Sequence, residues 1–126
     1  MGVIDFTNAV CFKLIQVDNS AYADKLAPML VDGEKIVSSF QTVRDGIVFT
    51  DRRIIAITLQ GVTGKKVDYT TLPYQRIQTF SVETAGILDL DSELDLWFAG
   101  MGHVRFEFAA RCDVAKICKS ISEKIL

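Results

Sequence analysis

The chain is 126 residues long, 49% apolar and 24% charged, the composition of one globular domain with a single core and not of a disordered segment. A net charge of −2 supplies no global basic field, so nucleic acid is not an expected partner and contact with an anionic surface needs a local patch. Three cysteines, Cys11, Cys112 and Cys118, form no CxxC pair, which argues against a disulfide framework and fits a reducing compartment.

Residues 1–17 lack the basic start, apolar middle and small-residue cleavage site of a signal peptide, and no apolar run approaches the ~20 residues that span a bilayer. The expected location is cytoplasmic. Val3, Phe6, Val10, Leu14 and Val17 recur at steps of three or four, the spacing of one helix face, and predict an amphipathic helix. Asn19-Ser20 offers an N-cap for a second, short helix from Ala21 to Leu30, which Pro28 disturbs in its last turn. Asp32-Gly33 then closes an N-terminal helical extension, residues 1–33.

From Glu34 the pattern becomes extended. Strands are expected at Glu34–Thr42, Gly46–Thr50, Arg53–Gln60 and Lys65–Thr71, with Asp45-Gly46 and Gly61 to Gly64 as turns. Pro73 interrupts the sheet, because proline cannot donate to a ladder, and Arg76–Ala85 follows as the next strand. Glu93–Ala99 alternates Leu94, Leu96 and Phe98 against Glu93, Asp95 and Trp97. His103–Ala109 repeats this with Val104, Phe106 and Phe108 inward and His103, Arg105 and Glu107 outward. Helical spacing returns after Arg111, with Val114, Ile117, Ile121 and Ile125 forming the apolar stripe. Seven consecutive antiparallel strands and a terminal amphipathic helix predict a mainly β fold. In it, a curled barrel spans residues 34–126 and the helix plugs its open end.

The segments Val48-Phe49-Thr50-Asp51-Arg52-Arg53, Gln60-Gly61-Val62-Thr63-Gly64-Lys65-Lys66, Pro73-Tyr74, Phe80-Ser81-Val82-Glu83-Thr84-Ala85-Gly86 and Leu88-Asp89-Leu90-Asp91-Ser92-Glu93-Leu94 occur in order. Together they resemble the signature of the bacterial pleckstrin-homology (PH) domain family, from Glu34 to Leu126. The resemblance implies a PH-like barrel, no enzymatic activity and a tendency to form ring-like homo-oligomers, and no cofactor is expected. Eukaryotic relatives bind phosphoinositides through bases around the first hairpin. Here that hairpin is Arg44-Asp45-Gly46 and the strand after it, Ile47-Val48-Phe49, carries no base, so that lipid site does not carry over.

Candidate chemistry is sparse. Gly61 to Lys66 has two residues between its glycines and a strand after it, whereas a phosphate-binding loop needs four residues and a helix. Asp89, Asp91 and Glu93 lack the ligand number and central glycine of a calcium loop. His103 is the only histidine, and no nucleophile stands at a suggestive spacing from it. No metal site or catalytic residue is expected. Arg52, Arg53, Lys65 and Lys66 are the best basic cluster and the candidate contact for acidic lipid headgroups, although the two pairs fall at opposite ends of one hairpin. Trp97, outward between acids, is a large aromatic of the kind that marks an interface. Trp97, Asp95, Phe6 and Val10 are therefore the expected oligomer contacts, whether the first helix or a second subunit covers Trp97. The expected function is a self-associating interaction or scaffold module, with peripheral lipid binding as the alternative and another protein left open as a partner.

Overall fold

Extended segments rich in β-branched and aromatic residues dominate the chain, and among the described residues they form eight strands. The computed structural model describes residues 9–43, 45–60, 66–83, 92–109 and 112–126, with backbone alone at 9–12 and 60. In chain order these form β1 (Ala9–Val17), α1 (Ser20–Leu26), β2 (Ile36–Gln41), β3 (Gly46–Thr50), β4 (Arg53–Gln60) and β5 (Lys66–Pro73). A 3-10 turn (Tyr74–Arg76) leads to β6 (Ile77–Glu83), β7 (Ser92–Phe98), β8 (Gly102–Phe108) and α2 (Val114–Ile125). The seven strands expected after Glu34 are β2 to β8, and the terminal helix forms as expected.

The segment before them departs from the expectation. Residues 9–17 are a strand, not a helix. β1 pairs in parallel with β8 through Ala9↔Val104, Val10↔Arg105 and Cys11↔Phe106, then antiparallel with β2 through Ile15↔Gln41, Gln16↔Phe40 and Val17↔Ser39. The register slips between Cys11 and Leu14, where Lys13 adopts a left-handed φ of 59°. This bulge resets the two-residue alternation, so a strand acquires spacing that imitates a helix. Two open ladders then outweigh the local pattern. The sheet order is β5-β4-β3-β2-β1-β8-β7-β6, which places β1 in its middle and sets one parallel ladder among antiparallel ones.

The two halves of the sheet face each other across one core. Phe40 and Phe49 from β2 and β3 meet Phe106 and Phe108 from β8, with edge-on ring contacts at 4.9 Å (Phe40–Phe108) and 5.6 Å (Phe49–Phe106). α2 closes this core with Val114, Ile117 and Ile121, each such buried aliphatic contributing about 1.5–3 kcal/mol. Asp113 caps the helix by accepting the Lys116 backbone N–H at 3.2 Å.

A second, smaller cluster of Leu26, Val48, Ile55 and Ile57 lies on the other side of β3 and β4. The two clusters together explain why β3 is buried along its whole length. Tyr22 of α1 lies against Gly46 so closely that a Cβ there would sit 2.6 Å from its ring. α1 occupies the place of the expected short helix but stops at Leu26, ahead of Pro28. The Asn19 side chain does not cap it. It accepts from Ser39 Oγ at 2.9 Å and donates to the Val37 carbonyl at 3.3 Å, tying α1 to β2.

The left-handed residue in β1 makes a testable demand. Lys13→Val should lower stability by about 1–2 kcal/mol, because a branched side chain resists positive φ, while Lys13→Gly should cost far less. Chemical denaturation of both variants checks this. Equal losses would mean that the Lys13 side chain, not the backbone kink, is what matters.

Candidate functional site

Strand alternation sends every second residue of β6, β7 and β8 outward, and the register aligns them in three rows. Thr79, Trp97 and His103 form one row; Ser81, Asp95 and Arg105 the next; Glu83, Glu93 and Glu107 the third. Their inward neighbours Leu94, Leu96, Val104 and Phe106 are fully buried, so the outer face stands on a rigid base.

Asp95 is the centre of this face. Its Oδ1 accepts Arg105 Nε at 2.8 Å and lies 2.6 Å from His103 Nε2. Burial pushes the Asp95 carboxyl up, but the hydrogen bonds and charges of Arg105 and His103 outweigh that and hold it below the ordinary aspartate range. Trp97 stacks on His103 with ring centroids 4.9 Å apart, and remains 39% exposed. The indole is thus steadied on one side and open on the other.

The third row is crowded with like charge. Arg105 Nη1 reaches Glu93 Oε2 at 3.7 Å, a loose contact for a guanidinium already bound to Asp95. Partial burial pushes the Glu93 carboxyl up, and Glu83 and Glu107 beside it add to this against the pull of Arg105. Carboxylates directly opposite on neighbouring strands repel. This row is a property of register, and nothing in the linear spacing of residues 83, 93 and 107 announces it.

Of the interface residues expected from sequence, Trp97 and Asp95 share this face, and Val10 is level with Arg105 in the adjoining strand. Phe6 lies outside the described residues. No described helix covers Trp97, since α1 packs on the opposite half of the sheet against Val48, Ile55 and Ile57.

The basic candidates do not come together. Arg53 and Lys66 stand at the two ends of the β4–β5 ladder, opposite Pro73 and Gln60, separated by about 23 Å at the rise of a strand. Lys65 lies outside the described residues, as do Asp89 and Asp91. Arg53 is committed elsewhere. Its Nε and Nη2 donate to Glu34 Oε2 and Oε1 at 2.9 and 3.0 Å, Nη2 to the Met29 carbonyl at 2.8 Å and Nη1 to Thr71 Oγ1 at 3.0 Å. Glu34, its side chain 1% exposed, also accepts Thr50 Oγ1 at 2.7 Å and the Val31 N–H at 3.0 Å. Tyr74 closes the same corner by donating to the Thr50 carbonyl at 2.6 Å. This is a lock between the loop before β2 and the β3–β4 turn. Arg52 donates to the Asp32 carbonyl at 3.3 Å beside it. Among the described residues, no group of three or more His, Cys, Asp and Glu side chains is placed to hold a metal.

A family model described as Bacterial PH domain matches residues 5–125. The uncharacterised Bacillus subtilis protein YjqA is 50% identical over 84 residues, 67% of each chain. The uncharacterised protein YozO of the same organism is 35% identical over 104 residues, 82% of this chain and 90% of its own. A DUF1696 family protein with a pleckstrin-homology domain from Shewanella loihica, solved as a crystal structure, aligns with a TM-score of 0.75 and 40% identity over 91% of this chain and 99% of that one. A pleckstrin homology domain from Shewanella amazonensis aligns with a TM-score of 0.62 and 44% identity over 87% and 90%.

The Glu34 lock carries a pH signature. Burial pushes its carboxyl up, but hydrogen bonds from Arg53, Thr50 and the Val31 N–H, with the Arg53 charge, hold it below the ordinary glutamate value. A lowered folded-state pKa stabilises above the unfolded value, and that stability is lost as pH falls through the folded one. Glu34→Gln should therefore cost about 2–4 kcal/mol at neutral pH, with the gap to wild type narrowing below about pH 4. Urea titrations across pH read this out; a constant gap would refute the assignment.

Proposed function

We propose that this chain, which belongs to the bacterial PH domain family, is a non-catalytic interaction module that self-associates through the outer face of β6–β8. The observation that carries this reading is Trp97, 39% exposed on a face whose inward neighbours are buried. An open indole on a rigid surface suits a contact between proteins, where aromatic anchors dominate the energy. The steadying of Trp97 by His103, and of both by Asp95, lowers the entropy lost when a partner lands on it. The chemistry on this face is that of contact: an aromatic ring, a hydrogen-bonded imidazole and paired charges.

Static light scattering on purified protein at low micromolar concentration should give a mass above that of one chain. Trp97→Ala should shift the mass downward while changing stability by less than about 1 kcal/mol, as a surface substitution does. A strictly monomeric wild type would sink the self-association reading. An unchanged mass for the variant would move the contact to another face.

Binding of acidic lipid headgroups through Arg52, Arg53, Lys65 and Lys66 is the weaker reading, because Arg53 is spent on Glu34 and Lys66 stands at the far end of the ladder. Flotation with anionic vesicles is expected to leave the wild type in the soluble fraction at low salt. Salt-sensitive flotation abolished by Lys65→Glu/Lys66→Glu would establish the lipid reading instead. No helix among the described residues is long and apolar enough to cross a membrane.

A further inference from the structure

We infer that His103 is a proton-operated switch: on gaining a proton its ring holds Trp97 more tightly and its second nitrogen changes from acceptor to donor. The inference stands on geometry within one chain and does not depend on what lands on Trp97. His103 Nε2 lies 2.6 Å from Asp95 Oδ1, and the same oxygen accepts Arg105 Nε at 2.8 Å. The imidazole stacks on Trp97 with centroids 4.9 Å apart and planes tilted by 32°. A carboxylate only accepts, so Nε2 carries the hydrogen, and the neutral ring keeps its lone pair on Nδ1. The His103 side chain is 27% exposed, so water can deliver the second proton.

Imidazole is the side chain whose charge ordinarily changes between about pH 5 and 8. Asp95 stays ionised through that range: burial pushes its carboxyl up, but Arg105 and His103 hold it below the ordinary aspartate value. Protonation of His103 therefore adds charge to a hydrogen bond that is already made, and charge-assisted bonds are the stronger kind. It also sets a cation against the indole face, whose quadrupole attracts it. The stack tightens, and Nδ1 presents an N–H where a lone pair stood. A contact that brings a carboxylate or carbonyl oxygen beside Trp97 gains from the proton, and one that brings an N–H loses by it.

The other charged groups on this face are Glu93 on β7, Arg105 and Glu107 on β8, and Glu83 on β6, whose Thr79 and Ser81 carry no charge. Val10 of β1, level with Arg105, adds none. Glu93 is the competing titration, because partial burial, with Glu83 and Glu107 beside it, pushes its carboxyl up. It stands two rows from the Trp97–His103 stack and reaches Arg105 at 3.7 Å.

The chain holds one histidine and one tryptophan, so each ring gives a single signal. Proton NMR of the His103 ring and indole emission of Trp97 are titrated together at two protein concentrations. Both should change sigmoidally with one shared midpoint, emission falling as the ring gains its proton, because a protonated imidazole quenches an indole stacked on it. His103→Gln should abolish the emission step, and Glu93→Gln should keep it. Asp95→Asn should move the His103 midpoint to lower pH, since the anion that favours the charged ring is gone. The wild-type comparison needs no variant, so the inference stays testable where Asp95→Asn does not fold. Emission that stays flat while His103 titrates overturns the switch, and so does an emission step that survives in His103→Gln or a midpoint unmoved in folded Asp95→Asn. A midpoint that moves with protein concentration assigns the emission change to association, which overturns the switch and leaves the self-association reading standing.

Discussion

The fold depends on the strand that belongs to two sheets. β1 gives its first residues to β8 and its last to β2, and the turn of direction at Lys13 makes this possible. Without it, the β2–β5 and β6–β8 layers would share a core but no backbone ladder. A bulge bends a strand and increases its twist, which is what two facing layers require of the strand that connects them. The Ala109 N–H donates to the Leu14 carbonyl at 2.9 Å just past the bulge, and Cys112 Sγ lies 3.8 Å from the same oxygen, so the chain entering α2 is fastened to the kink itself.

Two sets of charged residues show what burial does to chemistry. Glu34 and Arg53 answer each other fully, with every guanidinium nitrogen bonded and both carboxylate oxygens occupied, and the result is structural. The β6–β8 face is unbalanced by comparison, since one guanidinium serves several carboxylates at the surface. A closed network positions loops and leaves little to offer a ligand. An open one leaves charge unmatched at the surface, where it sets the local field.

Much of this was legible from residue order. The alternation in Glu93–Ala99 and His103–Ala109 gave the inner and outer faces of β7 and β8 directly, Trp97 and Asp95 included, because period two survives wherever a strand is regular. The Val114-Ile117-Ile121 stripe gave α2 the same way. β1 was misread because its bulge breaks that period. Arg53 looked like a free base at a turn, since its partner Glu34 is distant in sequence and meets it only through the docking of the loop. The row of Glu83, Glu93 and Glu107 was invisible for a related reason: each glutamate is ordinary on its own strand, and only register makes them neighbours.

The strand order also bears on how the chain folds. Among the described residues, six of the seven ladders join strands that follow one another in sequence, and the exception is β1 with β8. The six close over short or moderate loops, at little entropic cost. The seventh must bring together segments from the two ends of the domain, and long-range pairing of this kind is slow. Its closure therefore carries the largest loop entropy of the seven, and topology of this kind slows folding. Until such a ladder forms, apolar strand faces stay exposed, and that is the state from which chains aggregate.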